Sequence, residues 1–203
     1  MFDLEWITAN PASGTEKLKA GEYEAWPDTT LKAFERYCEN HALTTELTAF
    51  HLCIGTGQRI GDVVAMEWAH FDGEFMEVVQ EKTGQRVWIY CPDKLRGYLA
   101  TLPRKGRYVL AKNLTQHISK RRIQHLVGEV RKEINATAFV IHGWRYTAAK
   151  QLADSGATDT EIQAVTGHKT LAMVQKYRQQ ANQKKLSKRA QARRTEQKQN
   201  GKV

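Results

Sequence analysis

The segment 142–177 constrains the fold more than any other part of the chain, because two glycines divide it into three helix-like parts. The first part is predicted to begin at the start of the segment and to end before Gly156. Thr158 and Glu161 form a capping-box pattern at the start of the second part, which is predicted to end at Gly167. This succession of short helices favours a mostly helical domain.

Four side chains of the same segment are able to handle a phosphate: His142, Arg145, His168 and Tyr177. The first two are three residues apart and therefore share one face of a helix. His168 follows a glycine between two predicted helices, and Tyr177 comes nine residues later, inside the second of them. Each residue alone has an ordinary structural explanation, such as a solvated basic face or a core tyrosine. Together they favour phosphate chemistry on nucleic acid.

The whole chain is predicted to be mainly α with a small antiparallel β-hairpin, an α+β fold. The patterns predict further helices over 28–40, 44–54, 59–66, 93–100, 115–133 and 169–180, strands over 75–79 and 87–89 with a turn at 82–85, and a short strand at 108–110. Asp28, after a proline, is the expected cap of the first helix. The expected buried residues are Leu31, Phe34 and Cys38 in the first helix, and Ile118, Leu126, Val127 and Val130 in the helix over 115–133.

Length and charge narrow the class of protein. The 203 residues suffice for one sizeable domain, and the sequence has no run of about 18 apolar residues to span a membrane. The formal net charge of +9 points to a polyanionic partner such as nucleic acid. However, residues 181–203 carry eight Lys or Arg against one Glu, which leaves only +2 for residues 1–180. A binding site in the folded part must therefore gather its cations locally.

The three cysteines do not form a disulfide framework. Cys38, Cys53 and Cys91 are odd in number and irregular in spacing, which favours free thiols in a reducing cytosol. A zinc site would have to use Cys38 with His41 and Cys53 with His51. That spacing is not a zinc-finger spacing, and both pairs lie in predicted helices. We therefore assign the cysteines to the core of a helical pair and expect no metal.

Six positions together resemble the catalytic domain of tyrosine recombinases, the phage integrase family. The matching stretches are GTGQRIGDVVAMEW at 55–68, QEKTG at 80–84, IHGWRY at 141–146, TGHKT at 166–170 and the tyrosine at 177. The resemblance covers residues 27–180 and implies the catalytic set Arg59, Lys82, His142, Arg145, His168 and Tyr177. The acidic residue three positions after the first arginine also fits, here Asp62.

Two residues depart from the family's pattern. Trp144 stands where the family usually has leucine, and we expect it to pack in the core. Tyr146 stands where histidine or arginine is common. It is not the expected nucleophile, because it adjoins Arg145 directly and lacks the glycine–histidine spacing that precedes Tyr177.

The resemblance implies a role for each side chain in DNA strand cleavage and rejoining. The two arginines would clamp the non-bridging phosphate oxygens, since a guanidinium stays charged and forks onto phosphate. Tyr177 would attack phosphorus and form a 3′-phosphotyrosyl intermediate, with His142 as the base. Lys82 would protonate the leaving 5′ oxygen, and His168 would hydrogen-bond the phosphate. No cofactor, metal or ATP is implied, because the arginines fill the electrostatic role of a metal.

The resemblance also implies a domain organisation and partners. Residues 1–26 are expected to be the end of an N-terminal core-binding domain plus its linker, 27–180 the catalytic domain, and 181–203 a flexible basic tail. The expected partner is double-stranded DNA. A homo-tetramer on DNA is expected for the full-length enzyme, and a monomer with weak, salt-sensitive DNA affinity for this portion. The expected location is the cytoplasm of a bacterium, with the protein encoded by the cell or a phage.

Two other functions stay open from the sequence. One is a type IB topoisomerase-like activity, which shares the chemistry but needs no partner assembly. Relaxation of supercoiled DNA by an isolated monomer would favour it. The other is a noncatalytic or degenerate DNA-binding remnant, against which the intact set of six residues argues.

Overall fold

The computed structural model describes residues 23–168, together with 170, 174, 187, 188, 191 and 192. In chain order the elements are α1 (Asp28–Asn40), α2 (Thr44–Thr56), α3 (Ile60–Val64), a 3-10 turn (Trp68–His70), β1 (Phe75–Val79), β2 (Arg86–Tyr90), α4 (Asp93–Thr101), α5 (Lys120–Glu133), α6 (Gly143–Ser155) and α7 (Asp159–Thr166). The predicted fold class, mainly α with a small antiparallel hairpin, is confirmed. In this part of the chain, no helix is long and apolar enough to cross a membrane. Tyr177 and most of the predicted helix over 169–180 and of the tail lie outside the described residues.

The first two helices form almost as predicted, with differences at their ends. Pro27, and not Asp28, holds the cap position of α1, where its carbonyl accepts the N–H of Leu31 at 3.0 Å. Asp28 instead stands in the first turn, where its charge is favourable beside the positive end of the helix dipole. The second helix runs two residues beyond the predicted end and stops at Gly57, whose φ of 65° lies in the left-handed region.

The helix predicted from Thr115 begins five residues later, at Lys120. The side chain of Asn113 accepts the backbone N–H of Thr115 at 3.1 Å and thereby holds this stretch in a turn. Ser119 then caps α5, with its hydroxyl accepting the N–H of Arg122 at 3.2 Å. Side chains that bond the local backbone therefore outcompete the extra helical turn.

This later start changes the buried face of α5. Its buried residues are Ile123, Val127 and Val130, spaced for one stripe of a helix. Ile118 and Leu126 are only half-buried, so that part of the prediction was wrong. The strand predicted at 108–110 was also wrong, because Tyr108 forms only an isolated bridge there.

The hairpin presents one apolar face to the core. Its strands pair antiparallel from Phe75 opposite Tyr90 to Val79 opposite Arg86. The inner face of the hairpin is buried and consists of Met76, Val78, Val87 and Ile89. A two-stranded hairpin is at best marginally stable alone, so packing of this face fixes the turn between the strands.

An aromatic cluster anchors α6. Trp144 is fully buried, as predicted, and its ring lies 5.2 Å from that of Phe34 and 5.4 Å from those of Phe50 and Trp26 (centroid distances). Burial of each large side chain contributes roughly 1.5–3 kcal/mol. Trp26 itself is 2% exposed, so the core extends into the segment assigned to the linker. With Trp144 held on the core side, the adjacent Arg145 is directed elsewhere.

The three cysteines are buried core residues, as predicted, and all are free thiols. Burial, reinforced by the nearby Glu46, raises the pKa of the Cys38 thiol to about 12. A thiol with such a pKa stays protonated and is a poor nucleophile and metal ligand. His51, which the sequence pairs with Cys53 as a possible zinc ligand, has its Nε2 3.5 Å from a carboxylate oxygen of Glu35.

Candidate active site

Arg59 stands at the cap position of α3, directly after the turn that ends α2. Its Nη1 lies 3.8 Å from Oδ2 of Asp62, which is too long for a hydrogen bond. Within the described part of the chain, both of these buried atoms lack a hydrogen-bond partner. An unmatched buried donor costs roughly 1–3 kcal/mol, and more when it is charged. The Arg59 guanidinium is therefore well suited to receive an anionic ligand.

Asp62 links the Arg59 turn to the hairpin. Its Oδ1 accepts the backbone N–H of Glu81 at 2.9 Å. Glu81 in turn lies over Gly61, where an added Cβ would come within 2.9 Å of the carboxylate. Lys82, the next residue in the turn, is exposed. The buried carboxylate therefore fixes the backbone from which Lys82 projects.

Arg145 lies at the centre of the site and is 1% exposed. Its Nη1 donates to the carbonyl oxygen of Gly57 at 2.7 Å, and its Nη2 donates to Nε2 of His168 at 2.9 Å. One guanidinium thus joins three segments that are distant in sequence: the Arg59 turn, the start of α6 and the end of α7. Its fork geometry makes this possible, since five N–H groups point in fixed directions.

His168 follows Gly167, which ends α7 with a φ of 67°. Thr166 Oγ1 donates its single proton to the carbonyl of Ile162 at 2.6 Å, so it accepts from Nδ1–H of His168 at 2.6 Å. This assigns the tautomer: Nε2 carries no proton and accepts from Arg145. Burial, followed by the charges of Arg145 and Arg59 and by His142, lowers the pKa of His168 to about 3. The imidazole is neutral at physiological pH.

His142 precedes α6 and is half-buried between two tyrosine rings. Its ring centroid lies 4.7 Å from that of Tyr23 and 5.7 Å from that of Tyr146, both edge-on. Its pKa is lowered to about 4 by burial first, and then by the positive charges of Arg145, Arg59, Lys82 and Lys120. A neutral imidazole surrounded by cations is able to accept a proton once an anion occupies the site.

Lys120 is a site cation that the motifs did not indicate. It is the first residue of α5, and its Nζ lies 4.0 Å from the position of a Cβ added to Gly61. No ion pair of Lys120 or Lys82 occurs among the described residues. The sequence offers one signal for Lys120, which is the run of three cations at 120–122 after a capping serine. This run does not indicate which of the motifs Lys120 would approach.

The structure brings together five of the six predicted site residues: Arg59, Lys82, His142, Arg145 and His168. The sixth, Tyr177, lies outside the described residues. The site gathers four cations around two neutral histidines in a domain whose net charge outside the tail is small. Such local concentration of charge suits a phosphate ligand.

The buried histidine predicts a pH-dependent stability. Because the pKa of His168 is below its unfolded value of about 6.5, the unfolded chain binds more protons, and stability falls as pH drops below 6.5 toward 3. We expect His168 to contribute on the order of 2 kcal/mol to the loss of folding stability between pH 7 and 5.

His168→Asn should flatten the pH dependence of the urea unfolding free energy, whereas exposed His70→Asn should not. An unchanged slope in His168→Asn would contradict the burial argument. His142 and His51, whose pKa values are each lowered to about 4, contribute slope of the same sign.

Comparisons with known proteins identify the family and the fold. The model of the phage integrase family matches residues 28–184. A lambda integrase tetramer bound to a Holliday junction superposes with a TM-score of 0.70 at 20% identity, covering 88% of this chain and 55% of that chain. A dimer of lambda integrase residues 75–356 on a COC' core site gives 0.72 at 20% identity, covering 90% and 69%. XerA recombinase gives 0.69 at 16% identity, covering 86% and 66%.

These structures share the fold, and the chain spans about half the length of the lambda integrase chain in the tetramer. Comparison with curated protein sequences found no match. The family match covers most of the chain and includes every predicted site residue from Arg59 to Tyr177. The chain therefore belongs to the phage integrase family.

Proposed function

We propose that this chain is the catalytic portion of a site-specific DNA recombinase that cleaves and rejoins strands through a 3′-phosphotyrosyl intermediate. The observation that carries the proposal is the buried Arg59 Nη1, which has no hydrogen-bond partner in the described part of the chain, while the charges of both Arg59 and Arg145 act on His168. Two guanidiniums in one site match the two non-bridging oxygens of a phosphodiester. They stabilise the charge that builds up on those oxygens in the transition state.

The proposed cleavage step forms one bond to phosphorus and breaks another. The Tyr177 oxygen forms a bond to phosphorus, and the bond from phosphorus to the 5′ oxygen breaks. The tyrosine proton passes to neutral His142, and Lys82 supplies a proton to the leaving oxygen. A bound phosphate offsets the surrounding cations, so it raises the pKa of His142 from its low value in the free protein. The phosphotyrosine linkage retains the bond energy for rejoining, which removes the need for ATP.

His168 orients the guanidinium of Arg145 in the free protein, because its unprotonated Nε2 accepts from Nη2. In this form Nε2 has no proton to donate to a phosphate oxygen. The proposed phosphate contact therefore requires that His168 gain a proton when the anion binds, and the negative charge of the phosphate favours this by raising the His168 pKa from its low value in the free protein.

The proposed partner is double-stranded DNA, and the proposed assembly of the full-length enzyme is a tetramer on DNA. Lambda integrase supports both, since it forms a dimer on a core site and a tetramer on a Holliday junction. Lys120 is exposed and close to the site, where it would contact a phosphate that flanks the scissile one. Such contacts make DNA affinity strongly dependent on salt.

The decisive experiment uses a nicked suicide DNA substrate that carries the cognate site, with adducts resolved on a denaturing gel. The proposal expects a covalent protein–DNA adduct. DNA binding by the folded protein without any adduct would favour the noncatalytic remnant. Relaxation of supercoiled plasmid by isolated monomers would favour topoisomerase-like activity.

Lys82→Ala should separate protonation of the leaving group from the rest of the mechanism. With a normal 5′ oxygen, we expect single-turnover cleavage to slow by about 10²–10⁴-fold, the usual scale of general acid catalysis. With sulfur in place of that oxygen, the variant should cleave at close to the wild-type rate, because a thiolate leaves without a proton. An equal defect on both substrates would exclude Lys82 as the general acid. Lys112→Ala, which changes an exposed lysine outside the proposed catalytic set, is the control.

A further inference from the structure

Two glutamines are buried between the turns that carry the site residues. Gln58 and Gln80 are 1% and 0% exposed, although glutamine is ordinarily a surface residue. Gln58 directly precedes Arg59, and Gln80 stands two residues before Lys82. The chemistry proposed above makes use of neither side chain.

The Gln80 amide connects the hairpin turn to two other segments. Its Nε2 donates to Oε1 of Gln58 at 2.6 Å and to the carbonyl of Thr166 at 2.8 Å. Its Oε1 accepts from Oγ1 of Thr83 at 2.8 Å. Thr83 follows Lys82. This bond therefore fixes the turn itself, in addition to the two bonds that join the turn to Gln58 and Thr166.

The Gln58 amide completes the connection. Its Nε2 donates to the carbonyl of Val165 at 2.8 Å and to that of Thr56 at 3.2 Å. All four N–H groups of the two amides are therefore used, and both amide orientations are determined. Val165 and Thr166 end α7, where carbonyls have no helical donor and need an outside partner.

The packing around this pair leaves little freedom. A Cβ added to Gly167 would come within 2.5 Å of the Gln80 Nε2. Gly167 directly precedes His168, so the end of α7 rests on the glutamine amide. A satisfied buried network of this kind rigidifies the groups that it joins.

We propose that Gln58 and Gln80 are positioning residues that hold the Lys82 turn at a fixed distance from the Arg59 and His168 turns, and that Gln80 acts through Lys82. The inference rests on the proposed function, since it assigns the pair a role in the same phosphoryl transfer. Catalytic groups must be held within a fraction of an ångström of the productive geometry. The buried pair provides that constraint without touching DNA.

A double-mutant cycle between Gln80→Met and Lys82→Ala tests this inference. Methionine keeps the side chain's length but removes the amide, so we expect single-turnover cleavage to slow by about 10–100-fold. Because Gln80 acts through Lys82, the double variant should cleave within about threefold of Lys82→Ala alone. Gln124→Met, on the exposed face of α5, should cleave like wild type.

Thr83→Val provides a second route if Gln80→Met unfolds. It removes one hydroxyl at a half-buried turn position and leaves the core unchanged. We expect a smaller loss, about 3–10-fold, which is also non-additive with Lys82→Ala. Effects that multiply in both cycles, in folded and active protein, would overturn this inference alone. A wild-type protein that forms no adduct would instead overturn the proposed function and this inference with it.

Discussion

Tyr177→Phe should abolish the covalent adduct on a suicide DNA substrate. The change removes only the hydroxyl oxygen that attacks phosphorus, so we expect adduct formation to fall by at least about 10⁴-fold, the scale of losing an enzyme's nucleophile. DNA affinity should stay close to wild type, because the substitution changes no charge. The measurements are a denaturing gel for the adduct and a salt titration for binding.

Tyr146→Phe is the matched control for this prediction. Tyr146 also lies near the site, with its ring 5.7 Å from that of His142. It adjoins Arg145 and is not the expected nucleophile, so Tyr146→Phe should retain adduct formation. An adduct that persists in Tyr177→Phe and disappears in Tyr146→Phe would reverse the assignment.

Arg145→Lys should reduce cleavage by about 10³-fold or more while the protein still folds. Lysine keeps the charge, but its single ammonium cannot reach Gly57, His168 and a phosphate oxygen with the geometry of a fork. Loss of one preorganised donor alone costs about 10²–10³-fold in rate. The measurements are the single-turnover cleavage rate and the free energy of unfolding in urea.

Arg36→Lys is the matched control, because it replaces a guanidinium by an ammonium away from the site. Arg36→Lys, on the exposed face of α1, should leave both cleavage and stability near wild type. Arg145→Ala should be less stable than Arg145→Lys, because the Gly57 carbonyl and the His168 imidazole would lose their buried donor. Full cleavage by Arg145→Lys would show that charge without the fork is sufficient.

Local signals explain what could be read from the chain before the structure. The capping box at Thr158 and Glu161 is present, with the backbone N–H of Thr158 2.5 Å from Oε2 of Glu161. The ends of α6 and α7 at Gly156 and Gly167 also agree, since both glycines adopt left-handed backbone conformations. Such signals act within a few residues, so they survive any tertiary arrangement.

One failed prediction has a local cause and the other a nonlocal cause. The helix predicted from Thr115 had a suitable periodicity, but the side chain of Asn113 holds this stretch in a turn, and Ser119 caps the helix at its later start. The apolar stretch at 108–110 suggested a strand, but its pairing is limited to an isolated bridge between Tyr108 and Glu67. Periodicity reports which residues are to be buried, and it does not report whether a pairing partner exists.

The sequence by itself determined the class of fold and the set of candidate residues, because caps, periodicity and motif spacing are properties of adjacent residues. Only the tertiary structure decided how these residues meet. It placed Lys120 beside the Arg59 turn, put Arg145 between Gly57 and His168, and made His142 and His168 neutral. It also buried Gln58 against Gln80. These features depend on burial and on contacts between distant segments, which no local pattern encodes.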